Sequence, residues 1–152
     1  MRRILRWALV AAGLALVAGL YINDQWINPK TYENVEVAIH ARVLPDGSMH
    51  IREERTVRFA GEFSRYSLNF PVRGFTAMTD VKVSEPGKAY TLTKAADSRP
   101  DGTYTVGVPA AGKGEYKIEW YFRAKGETRK FFVEYRVTDC VTVYQDVAEL
   151  YW

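Results

Sequence analysis

The chain has 152 residues, enough for one ordinary domain, and its ten Tyr, seven Phe and four Trp exclude a disordered protein. The net charge of +3 is accounted for by Arg2, Arg3 and Arg6, so the remainder is balanced. Its basic residues are interleaved with acidic ones instead of gathering on one face, which excludes a nucleic-acid partner.

The three arginines precede an uncharged run from Trp7 to Ile22. A charged start followed by an apolar stretch is the pattern of a secretory signal. At ~1.5 Å per residue the run spans ~24 Å as a helix, somewhat short of a ~30 Å hydrocarbon core. Counting from Ile4 lengthens it if Arg6 snorkels. Residues 1–22 therefore predict one N-terminal apolar helix, either a signal sequence or a transmembrane anchor. Tyr21 and Trp26, aromatics suited to a membrane interface, favour the anchor. Both readings hold the arginines in the cytoplasm and put residues 23–152 outside, with membrane contact through residues 4–22.

Residues 23–34, with the breaker Asn28-Pro29, read as a linker. The segment 35–152 reads as an extracytoplasmic β-domain. Val35, Val37, Ile39, Ala41 and Val43 alternate with Glu36, His40 and Arg42, the period of a strand. Pro45-Asp46-Gly47-Ser48 makes a turn, and His50 to Phe59 returns as the second arm of a hairpin. Further strands are predicted near Tyr66–Phe70, Thr79–Ser84, Ala89–Thr93, Thr103–Val108, Glu115–Arg123 and Thr128–Thr138. The last two carry the clearest apolar rows: Tyr116, Ile118, Trp120 and Phe122, then Phe131, Val133, Tyr135 and Val137. About eight such strands predict an all-β, antiparallel β-sandwich, with a barrel as runner-up. Val143 to Trp152 fits neither period; it is expected to pack on the sandwich, with Trp152 as an anchor.

Several segments, taken in order, carry a resemblance. They are Asp46-Gly47-Ser48-Met49 with Ile51 and Glu53; Phe59, Gly61 and Phe63; Phe131, Val133 and Tyr135-Arg136-Val137; and Tyr144, Asp146 and Ala148-Glu149-Leu150-Tyr151-Trp152. Together these resemble the N-terminal domain of the YciQ-like predicted membrane proteins, a family of unknown function. The resemblance implies an extracytoplasmic β-domain behind a signal sequence, usually followed by further transmembrane helices. It places a glutamate at position 53 without assigning it a role, and implies no reaction, substrate or cofactor.

The residues themselves yield no catalytic set. Only His40 and His50 are present as histidines. If Val43 faces Met49, each histidine faces an arginine, Arg52 or Arg42, which disfavours a metal. Cys140, the single cysteine, cannot form an internal disulfide and reads as a small buried hydrophobe; a bond between chains is the other option. Neither a Gly-x-Ser-x-Gly elbow nor a Gly-rich phosphate loop occurs. Tyr66, Tyr90, Tyr104 and Tyr121 are candidates for a sugar-stacking face or for half-buried strand residues. Two functional classes remain. One is a non-enzymatic interaction or sensory module of the cell envelope, with a protein or envelope-polymer partner. The other is an envelope polysaccharide hydrolase using paired carboxylates.

One residue resists a filler reading. Glu53 and Arg55 fall in the row of Met49, Ile51, Val57 and Phe59, which should face the core. A β-bulge, a row running off the core edge, or an inward carboxylate held by a cation would reconcile them. Arg65 and Arg73 are the candidate cations. Glu53, Arg55, Arg65 and Arg73 are therefore the candidate binding residues; no catalytic or metal residue is expected.

Overall fold

Eleven strands build the computed structural model, which describes residues 30–94, 99–109 and 114–150. They are β1 (Thr31–Val43), β2 (Met49–Ala60), β3 (Glu62–Pro71), β4 (Ala77–Glu85), β5 (Lys88–Ala89), β6 (Thr91–Leu92), β7 (Thr103–Gly107), β8 (Glu115–Lys125), β9 (Thr128–Thr138), β10 (Val141–Val143) and β11 (Ala148–Leu150). One sheet has the order β1-β2-β9-β4-β5, the second β3-β8-β7-β6, and β10 pairs only with β11. The fold is all-β, and neither large sheet closes into a barrel. The N-terminal apolar segment, residues 1–29, lies outside the described residues.

Local chemistry sets the first hairpin. Gly47 takes φ 75°, open to glycine at no steric cost. The Asp46 carboxylate accepts from the Ser48 amide (3.1 Å) and hydroxyl (2.6 Å), closing the turn on itself. The resulting register puts Val43 opposite Met49. The turn between β8 and β9 runs through Gly126 at φ 60°, but the two strands do not pair: it carries the chain from the smaller sheet to the larger one.

The two large sheets face each other across an aromatic core. Phe131 of β9 lies 5.0 Å from Phe122 and 5.4 Å from Trp120, both on β8. Phe59 of β2 is 5.3 Å from Phe122, and Phe70 of β3 is 5.0 Å from Tyr135 of β9. The predicted rows of β8 and β9 are buried in full. Tyrosine hydroxyls stitch the layers. Tyr66 on β3 donates to Asn34 Oδ1 on β1 at 2.9 Å, and Tyr104 on β7 donates to the Val81 carbonyl on β4 at 2.6 Å. The second bond falls at a bulge of β4, between Thr79 and Lys82, where Asp80 has φ 54°.

Three expectations are corrected. The single strand read near Ala89–Thr93 is two short pieces belonging to different sheets. Tyr90, buried between them, is where the chain crosses: Ala89 pairs with β4, and Thr91 pairs with Thr103 of β7. That β6–β7 pair is parallel, so the sandwich is not antiparallel throughout. Second, β1 begins at Thr31, four residues ahead of the alternation read from Val35, because a bulge between Asn34 and Glu36 breaks the period. Third, the described part of the terminal segment lies open: Ala148–Leu150 pairs with Val141–Val143 as β10–β11 and Tyr144, Val147 and Leu150 are exposed, while Val141, just ahead of the segment, packs against the core. Trp152 lies outside the described residues.

Phe131 touches rings from both sheets, so Phe131→Ala should cost about 3–5 kcal/mol, read as a fall in the urea midpoint with little change in slope.

Candidate functional site

Glu53 faces inward, as its place in the β2 row demands, and is 2% exposed. The buried positions of β2 fall on odd numbers on both sides of it, with Glu54, Arg55 and Thr56 intermediate between them, and the bulge of this hairpin lies on β1 instead. Its cation is neither Arg65 nor Arg73 but Arg55, two residues along the same face. Arg55 Nε and Nη2 reach Glu53 Oε2 at 2.7 and 2.5 Å. Tyr135 on β9 donates its hydroxyl to Glu53 Oε1 at 2.5 Å. Burial, and then the neighbouring carboxylate, push the Tyr135 phenol well above its ordinary range. The sequence held both partners, Arg55 in the same row and Tyr135 in the facing row.

Arg65 belongs to a second cluster, on the outer face of the β3–β8 sheet. There it lies 3.5 Å from Glu119, which also has Lys117 at 3.6 Å and accepts from the Tyr121 hydroxyl at 3.1 Å. Arg73 is exposed on the connection between β3 and β4. The four candidate residues are therefore not one site: Glu53 and Arg55 are together, while Arg65 and Arg73 stand elsewhere. Tyr66, Tyr90, Tyr104 and Tyr121 are all buried, which removes them from a sugar-stacking face.

A third carboxylate is closed in the same way. Glu85 accepts a two-pronged contact from Arg129, with Nε at 2.9 Å and Nη2 at 2.6 Å, and a short bond from the Tyr90 hydroxyl. Arg129 also reaches Glu127 at 2.9 Å and the Arg123 carbonyl at 3.0 Å. Its guanidinium is held protonated chiefly by the bond to Glu85. General acid–base work needs a carboxylate within reach of substrate. Glu53, Glu85 and Glu119 instead spend their oxygens on arginine, lysine and tyrosine of this chain.

The surface offers shallow ground. A depression of about 540 Å³ is lined by Lys30, Glu62, Arg123 and Lys125 among others, with Lys125 paired to Glu62 at 2.9 Å. Another, of about 620 Å³, lies on the β1–β2 hairpin over His40, Arg42, His50 and Arg52. The register sets His40 opposite Arg52 and His50 opposite Arg42, as the turn implied. Among the described residues, no three His, Cys, Asp or Glu side chains gather as metal ligands.

What stands open is strand β1. Ile39 lies beside Glu53 and Val37 beside Arg55, so the row Val37, Ile39, Ala41 and Val43 shares the inner face of the sheet. Near the start of β1, Tyr32 meets Phe63 at 6.1 Å and Tyr66 at 5.3 Å but is itself exposed. Beyond it Val37 is 42%, Ile39 50% and Val43 49% exposed. Among the described residues, β2 is the only strand that β1 pairs with.

The family model for the N-terminal domain of predicted membrane proteins, DUF2207, matches residues 35–152. No curated protein and no solved structure matches the chain. Among the described residues, no helix is long and apolar enough to cross a membrane.

Glu53→Gln should lower folding stability by ~1–3 kcal/mol, because Arg55 keeps its charge in a largely buried place; chemical denaturation reads it. Tyr135→Phe should lose a similar amount by removing the donor to Oε1. The raised Tyr90, Tyr104 and Tyr135 phenols favour the folded state only while protonated. Their contribution is complete below the ordinary tyrosine value and fades as pH rises from about 10. The melting point should therefore fall above that pH, with phenolate absorbance appearing as the fold is lost.

Proposed function

The chain belongs to the DUF2207 family of predicted membrane proteins, and from that premise we propose that it is a non-enzymatic interaction module, held at the membrane by residues 4–22 with its β-domain outside the cytoplasm. The observation that carries this reading is β1, a long edge strand whose apolar inner row continues the core face into solvent. Edge strands left this open are templates for another strand. The three enclosed carboxylates support the same reading, since each stabilises the fold through partners of its own chain. The side of the membrane rests on Arg2, Arg3 and Arg6 preceding the apolar run.

Two measurements test the two halves. A phosphatase that folds only outside the cytoplasm, fused after Leu150, should be active; activity from a cytoplasm-only reporter at that point would overturn the topology. A photo-reactive side chain at Ile39, in the full chain in its membrane, should form protein adducts, while the same group at the exposed Ser67 on β3 should form few. Equal yields at both positions, or none at Ile39, would defeat the assignment to β1.

A further inference from the structure

The occupant of β1 is narrowed by the strand itself, and this inference rests on the interaction reading above. We infer that β1 pairs with β1 of a second copy, antiparallel, about a two-fold axis at Ile39.

Comparison of the sheet edges comes first. At the far edge of the larger sheet β5 is two residues long, and at one edge of the smaller sheet so is β6. The other edge of the smaller sheet, β3, is broken by a register shift between Phe63 and Arg65 and ends on Pro71. Short strands, bulges and proline are the usual defences against unwanted pairing. β1 has thirteen residues with no Lys and no Pro, and its inner row from Val37 to Val43 carries no charge. Its one bulge lies near the start, between Asn34 and Glu36. The regular stretch is thus Glu36 to Val43, and a two-fold that uses it must sit near its middle.

Charge then selects the residue. A two-fold perpendicular to the sheet keeps each face on its own side, so paired residues share a face. With the axis at Ile39, Arg42 stands opposite the second copy's Glu36, and the second copy's Arg42 opposite Glu36. His40 faces Ala38, and on the inner face Ala41 faces Val37. Opposite charges directly across a ladder stabilise it, and like charges oppose it. Moving the axis to Ala41 would set His40 against Arg42, cation against imidazole. The bulge and the charge pattern thus choose the same centre by separate routes. The pairing is isologous and closes on itself, so it yields a dimer and not a fibre. The inner rows of the two copies then abut as one apolar floor.

Cysteine cross-linking in membranes carrying the full chain tests the register. Residues facing each other across an antiparallel pair have Cα atoms ~4.5–5.5 Å apart, within disulfide range. Ile39→Cys should therefore form a disulfide dimer under mild oxidation. Ala41→Cys should form roughly tenfold less, since its own counterpart lies ~13 Å away across the axis. Val37→Cys and Ala41→Cys chains expressed together should cross-link to each other. The native chain, whose Cys140 is buried, serves as the uncross-linked control. In the Ile39→Cys background, Glu36→Arg or Arg42→Glu alone should weaken cross-linking, and the two together should restore it. Equal cross-linking at positions 37, 39 and 41 would signify random collision and overturn the proposal. Photo-adducts at Ile39 to a different protein, without an Ile39→Cys dimer, would overturn the second copy while leaving the interaction reading standing. No adducts of any kind at β1 would defeat both.

Discussion

The ladder between β2 and β9, from Met49↔Val137 to Arg58↔Thr128, is the joint on which the rest of the domain depends. It joins the first hairpin, local in the chain, to a strand that comes from far along it. Among the described residues β1 pairs only with β2, and β8 of the smaller sheet leads through the Gly126 turn into β9. At the middle of this joint sits Glu53, its oxygens taken by Arg55 and Tyr135. A slip of one residue would turn every side chain of β2 to the other face and take Glu53 from both the core and its tyrosine. Hydrophobic rows favour burial in general; the carboxylate makes one register better than its neighbours.

The same device recurs at Glu85 and Glu119, each enclosed by a cation and a phenol. Tyrosine suits this work because its ring packs as a hydrophobe while its hydroxyl reaches a polar group. Glu53 and Glu85 direct this chemistry inward, whereas Glu119 gathers its partners on the outer face of the smaller sheet. β1 differs from every other edge of the two large sheets in length and in lack of protection.

Strand rows were legible wherever period two ran unbroken. Phe131, Val133, Tyr135 and Val137 fall where alternation put them, and so do both histidine–arginine pairs of the first hairpin. Elements that depend on distant partners were not legible. Nothing local in Lys88–Leu92 says that its two halves join different sheets, because the choice is made by β4 and β7. The partner of Glu53 was missed for a related reason. Same-strand residues two apart share a face, yet a cation was sought farther along the chain. The apolar row of β1 was read correctly as one face, but whether a face is covered depends on the width of the opposing sheet, which alternation does not encode.

The distance along the chain between Glu53 and Tyr135, 82 residues, also imposes a timetable on synthesis. A ribosome delivers β1, β2 and the whole of β3 to β8 before β9, the strand that joins β2 to β4 in the larger sheet. Domains assemble as units only when their long-range partners are present. The first hairpin must therefore stand with its carboxylate lacking the Tyr135 hydroxyl and its apolar rows bare until β9 emerges. The nascent chain is most vulnerable to wrong pairing during that wait, when β2 as well as β1 offers an open edge.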